Sequence, residues 1–177
     1  MCWLIHVVSL ALWSGGAVFF TFLAAPRIFG YLHHELPSHP LPGLHGVDAD
    51  VGLRLAGNTV GTIFPVYFVS QVVLGVLAVA SGVVLARSGR RLDKIRCACV
   101  AVALAVVAVH SLTVYPHSAG VLAQHYQAKD GGDEPKAAEL RRTFGIWHSV
   151  SQGINLVTIV LVVVSLGLAA VSVRRDE

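Results

Sequence analysis

Few residues in this chain have side chains suited to chemistry, and most of those are histidines. In the run Arg142-Thr-Phe-Gly-Ile-Trp-His148-Ser-Val-Ser-Gln152-Gly-Ile-Asn155, three of them interrupt a sequence that then stays apolar to Val173. At 100° per helical residue, His148, Gln152 and Asn155 fall within about 60° of one another and form one polar stripe. His110 stands alone inside an earlier apolar run, and His117 follows two turns later on nearly the same face. A neutral imidazole can donate, accept or carry a proton, or ligate copper, zinc or haem iron; a carboxamide both donates and accepts. His110, His117, His148, Gln152 and Asn155 are therefore candidates for a polar pocket that binds or moves a small solute or metal ion. In the alternative reading the three histidines hold b-type haem or copper in a membrane redox or metal-handling protein. In the blandest one, each polar group satisfies a neighbour in a structural scaffold.

A second set lies between residues 30 and 54, where His33, His34, His39 and His45 stand near Glu35, Asp48 and Asp50. Clustered imidazoles and carboxylates suit copper, nickel or zinc. The spacing matches no compact site, and Asp48-Ala-Asp50 lacks the further ligands of a calcium loop. His6 reads as a histidine hydrogen-bonded within the bundle or at its interface. Cys2, Cys97 and Cys99 are an odd set with no disulfide framework, and Cys97-x-Cys99 lacks the second pair of a zinc site. The chain contains no nucleophile–base–orienter set, phosphate loop or H-E-x-x-H, so a non-enzymatic protein is expected.

The elements that must position these residues are membrane helices. The 177 residues are 55% hydrophobic and 13% charged, with a mean hydropathy of +0.69, whereas soluble domains carry about 25% charged residues. The apolar excess is gathered into four runs long enough to cross a bilayer. The expected fold is all-α: an integral membrane four-helix bundle forming one domain over 1–177. Its helices should cover about 3–26, 55–86, 97–116 and 143–173, with external loops at 30–54 and 120–142. The first run is too long for a signal-peptide core and has no basic start, so it reads as an uncleaved helix. Pro26 and Pro116 should close helices one and three, and Pro65 should bend helix two. Trp13-Ser-Gly-Gly16 and Gly57-x-x-x-Gly61 read as places of close helix approach, and Gln71 as an interhelical hydrogen-bonding residue. Gly131-Gly132 marks a turn, and Asp133-Glu134-Pro135 a helix start that can run on through Arg141-Arg142 into the fourth span.

The net charge of +3 resides at helix ends, which argues against nucleic acid and for the lipid bilayer as partner. Four helices are few for a monomeric carrier, so a homo-oligomer is the expected working form. The basic 87–96 turn and Arg174-Arg175 place both termini in the cytoplasm, consistent with a bacterial inner membrane. With about 1.5 Å of rise per residue, Asn155 and His110 lie roughly 5 Å to the outer side of the midplane, and His117 and His148 roughly 15 Å. Spans three and four should pack antiparallel, so these two levels would line one outward-facing pocket.

Several motifs carry a resemblance. Trp13-Ser-Gly-Gly16, Ala25-Pro-Arg-Ile-Phe29, Ala56-Gly57 and Ile63-Phe-Pro-Val-Tyr-Phe68 are similar to those of the transmembrane protein 205-like proteins. So is Phe144-Gly-Ile-Trp-His-Ser-Val-Ser-Gln-Gly-Ile-Asn155, which resembles the family pattern Phe-Gly-x-x-His-Gly-x-Ser-x-x-x-Asn. Ser149 stands where glycine is usual, and the histidine-rich loop resembles an insertion. The resemblance implies a four-helix membrane domain and no particular reaction. A histidine with Trp-x-Gly-Gly in the first helix is also faintly similar to copper-resistance D-type proteins.

Overall fold

A computed structural model of the chain describes residues 1–38 and 48–173. They form four helices long and apolar enough to span a membrane: α1 (Cys2–Ser38), α2 (Ala49–Ala86), α3 (Arg91–Asp130) and α4 (Glu134–Ser172). No strand occurs among the described residues. The helices run antiparallel in a ring in which each packs on the next and α4 returns to α1. Their outer faces stay apolar, with Val66 and Leu112 exposed at 71% and 76%, as a bilayer environment requires.

The helices are longer than the apolar runs. In 30–54 and 120–142, expected as loops, most of the described residues are helical, and 39–47 lie outside the described residues. The α2 start is capped by Asp48, whose carboxylate accepts from the Val51 N–H at 2.9 Å. Between α3 and α4 only a tight turn remains, with Gly132 at a φ of +76° that other residues adopt with difficulty. The extensions hold one another by polar contacts. Arg54 grips Asp130 with two bonds of 2.9 and 3.0 Å and lies over the Tyr126 ring, and Lys129 pairs with Asp50 at 2.7 Å. His125 donates through Nδ1 to the Ala137 carbonyl at 2.9 Å, tying α3 to α4.

Neither Pro26 nor Pro116 ends its helix. A proline lacks an N–H and its ring clashes with the carbonyl four residues earlier. The chain answers by widening the preceding turn. π-helical segments run Phe20–Ala24 before Pro26, Tyr31–Glu35 before Pro37 and His110–Val114 before Pro116, each starting six residues ahead of its proline. Membrane helices tolerate proline by such local adjustments, since exposed irregular backbone is not an option in lipid. Pro65 is accommodated inside α2 without a π turn.

The half of the bundle that holds the termini is tightly packed. Leu10, Trp13, Ala78, Val100, Ala103 and Val107 form its core. Gly75 makes this possible, because a Cβ there would lie 2.8 Å from Leu104 Cδ1 and 2.9 Å from the Trp13 ring. The glycines of the motifs expected to pack closely do not, although Trp13, Ser14 and Ala56 beside them are buried. Gly15, Gly16, Gly57 and Gly61 have nothing within 4 Å of a would-be Cβ, so the first pair leaves its surface open and the second borders empty space.

Candidate functional site

That empty space is a pocket of about 440 Å³ in the half of the bundle remote from the termini, lined by all four helices. Its floor is a hydrogen-bonded bridge joining three of them. The Tyr67 hydroxyl of α2 donates to Asn155 Oδ1 of α4 at 2.9 Å, and Asn155 Nδ2 donates to Thr21 Oγ1 of α1 at 2.8 Å. Beside it, His110 Nε2 of α3 shares a 2.6 Å bond with Ser151 of α4. Both Thr21 and His110 sit in π turns, so the prolines that widen those turns also set where these side chains point. Phe20, Phe64, Tyr115 and Phe144 form aromatic walls, with Phe20 and Tyr67 ring centroids 4.5 Å apart and Phe64 and Tyr115 5.0 Å apart. Among the described residues, no aspartate, glutamate, lysine or arginine lines the pocket.

Four of the five residues picked out by spacing line this volume: His110, His148, Gln152 and Asn155. They differ in setting. His110 is 4% exposed and Asn155 half-buried, whereas His148 and Gln152 are exposed at the rim. His148 stacks on Phe144, with ring centroids 5.4 Å apart. His117 is not among the lining residues; its ring meets Trp147 at 4.5 Å instead. Three histidines therefore do not converge on one point, and among the described residues no group of three His, Cys, Asp or Glu stands close enough to hold a metal ion. His33 and His34 lie in a π segment of α1 with rings 4.2 Å apart, and His39 and His45 lie outside the described residues.

Tyr67, Thr21 and Ser151 carry the pocket's hydrogen bonds and were not legible as site residues. Ser151 flanks the stripe at 60° from His148, so a slightly wider stripe would have included it. Tyr67 lies in the Ile63–Phe68 motif, and Thr21 is a lone polar residue between two phenylalanines. Gln71, one turn below Tyr67, accepts from the Trp13 indole N–H at 3.3 Å and is buried as expected of an interhelical partner.

A separate polar cluster closes the terminal end. His6 is fully buried and bonds through Nδ1 to the Ala78 carbonyl at 2.9 Å; a carbonyl only accepts, so that nitrogen carries the proton. Arg96, at the base of the basic 87–96 turn, is buried too, paired with Asp93 at 2.9 Å and reaching Ser172 of α4 at 3.2 Å. The packed layer of Trp13, Gly75 and Leu104 lies between this cluster and the pocket.

No curated protein and no solved structure matches the chain. A family profile does, described as a domain of unknown function (DUF4149), and it covers residues 8–127, from the first turns of α1 almost to the end of α3. With that match across well over half its length, this four-helix membrane protein belongs to the DUF4149 family.

Proposed function

We propose that the protein is a non-enzymatic, multi-pass membrane protein of the transmembrane protein 205-like type that binds, and as a homo-oligomer moves, a small solute through the pocket. The supporting observation is the Tyr67–Asn155–Thr21 bridge, which collects polar side chains from three helices where the packed core, to which Tyr67 belongs, meets open volume. Polar residues that serve only as interhelical glue are stabilised by closing on one another, and a void beside them forfeits packing contacts. Here the rim residues His148 and Gln152 are turned towards that void and remain available to a ligand. In this reading the pocket faces the outside of a bacterial inner membrane, with both termini cytoplasmic.

The haem or copper reading is weaker on chemistry. For copper, the described lining offers two imidazoles and neither a thiolate nor a carboxylate; for haem, His110 Nε2 is already bonded to Ser151, and His117 is engaged with Trp147. A saturation-transfer NMR screen of small neutral fragments on protein in nanodiscs tests the proposal. Fragments should bind the native chain and lose their signal with Gly61→Leu, whose side chain would occupy the open space beside Gly61. If no fragment distinguishes the two proteins, the residues are scaffold.

A further inference from the structure

We propose that the ligand is an uncharged amphiphile that reaches the pocket from within the bilayer, a hydroxyl- or carbonyl-bearing ring with an aliphatic tail. This deepens the solute-pocket reading and rests on it. Three independent features of the site select that chemistry.

The first is charge. Among the described residues no Asp, Glu, Lys or Arg lines the volume, and its titratable groups are histidines and tyrosines, so a phosphate, carboxylate or ammonium head would find no fixed counter-charge at the floor. The second is shape and lining. Aromatic rings from all four helices surround the volume, an arrangement that favours a ring by stacked or edge-to-face contacts. At the floor, the Tyr67 and Thr21 hydroxyls and the Asn155 carboxamide are bonded to one another, and each hydroxyl can both donate and accept, so the group can re-pair with a ring oxygen.

The third is access. α4 packs on α1 almost only through the Cys2–Phe19 part of α1; beyond it, α1 packs on α2 while α4 packs on α3. The Asn155–Thr21 bond bridges the two helices where they separate. Outward from that bond the gap between α1 and α4 opens sideways, at a level where Phe22, Leu23, Ile146 and Val150 present apolar surface to lipid. A water-soluble solute would have no need of a lateral gap, whereas an amphiphile can hold its ring at the floor and leave its tail among the acyl chains.

The test uses the full chain in phosphatidylcholine nanodiscs and 4-dodecylphenol with a photoreactive diazirine in its chain. Labelling should saturate and map by mass spectrometry to α1 beyond Phe20 and to residues 144–155. Unlabelled 4-dodecylphenol should compete at least tenfold better than dodecyl phosphate or plain phenol. Gly57→Leu, placed where a Cβ meets nothing within 4 Å, should abolish the saturable fraction while circular dichroism stays unchanged. Asn155→Leu should weaken it at least threefold. Equal competition by dodecyl phosphate or by phenol overturns the amphiphile inference and leaves a solute pocket standing. Labelling that fails to saturate, with no protection by any competitor, overturns both.

Discussion

Replacing Asn155 by leucine removes both bonds of the pocket floor, those with Tyr67 and Thr21. Interhelical hydrogen bonds in membranes contribute about 0.6 kcal/mol each on average, so two amount to about 1.2 kcal/mol. A hydroxyl orphaned in dry core would add about 1–3 kcal/mol, but in the proposed open pocket water can reach Tyr67 and Thr21, which keeps the penalty near the lower figure. The expected loss is therefore about 1–2 kcal/mol, up to roughly thirtyfold in the folding equilibrium. Tyr67→Phe removes one bond and should cost about 0.6 kcal/mol. The double variant should then be less destabilised than the sum of the two single ones, because one bond is common to both. Reversible unfolding in bicelles, by steric trapping, measures all three. A loss above about 3 kcal/mol for Asn155→Leu would mean that the floor is dry core and the pocket is closed. No loss at all would mean that the bridge does not form.

Other expectations follow from the packing. Gly75→Ala forces a methyl group against the buried Trp13 ring and should destabilise by about 1–3 kcal/mol, less the roughly 1 kcal/mol that alanine gains over glycine in a helix. Gly57→Ala meets no neighbour and should stabilise by up to about 1 kcal/mol in the same unfolding assay; the reverse ranking would contradict the assignment of tight and open halves. In a cysteine-free background, Ser88→Cys and Asp133→Cys should react with a membrane-impermeant thiol reagent from opposite faces of the bilayer, and labelling from one face would refute the four-span topology. Breaking the Asp93–Arg96 pair with Asp93→Asn leaves Arg96 buried with an uncompensated charge and should cost more stability than any rim substitution in the pocket, read by the same steric trapping.

How far the sequence carried depends on which physics each feature obeys. The all-α, four-span architecture follows from apolar run length alone, so composition revealed it. The polar stripe on α4 follows from helical periodicity, and three of its residues with His110 do border one cavity. What the sequence concealed is tertiary. Proline in water ends helices, but in lipid the backbone has no better partner than another helical turn, so α1 and α3 widen at Phe20–Ala24 and His110–Val114 and continue. That one difference rotates the downstream part of α3 and leaves His117 on Trp147, although periodicity had aligned it with His110. Glycine spacing misled for a related reason. Whether Gly57 or Gly75 is the close-contact glycine depends on what faces it, and only Gly75 meets a buried tryptophan.

In the proposed arrangement an open, water-reachable pocket in the half of the bundle remote from the termini adjoins a packed half that closes it. Three single-cysteine variants of α4, each in a cysteine-free background in proteoliposomes, test it with a charged methanethiosulfonate reagent. Gln152→Cys lies on the pocket, Leu156→Cys is 52% exposed on an apolar surface, and Thr158→Cys is 1% exposed in the packed half. Labelling should be rapid at 152, slowed at least tenfold by Gly57→Leu, and absent at 156 and 158. An inert cysteine at 152, or equal labelling at 152 and 156, would contradict it.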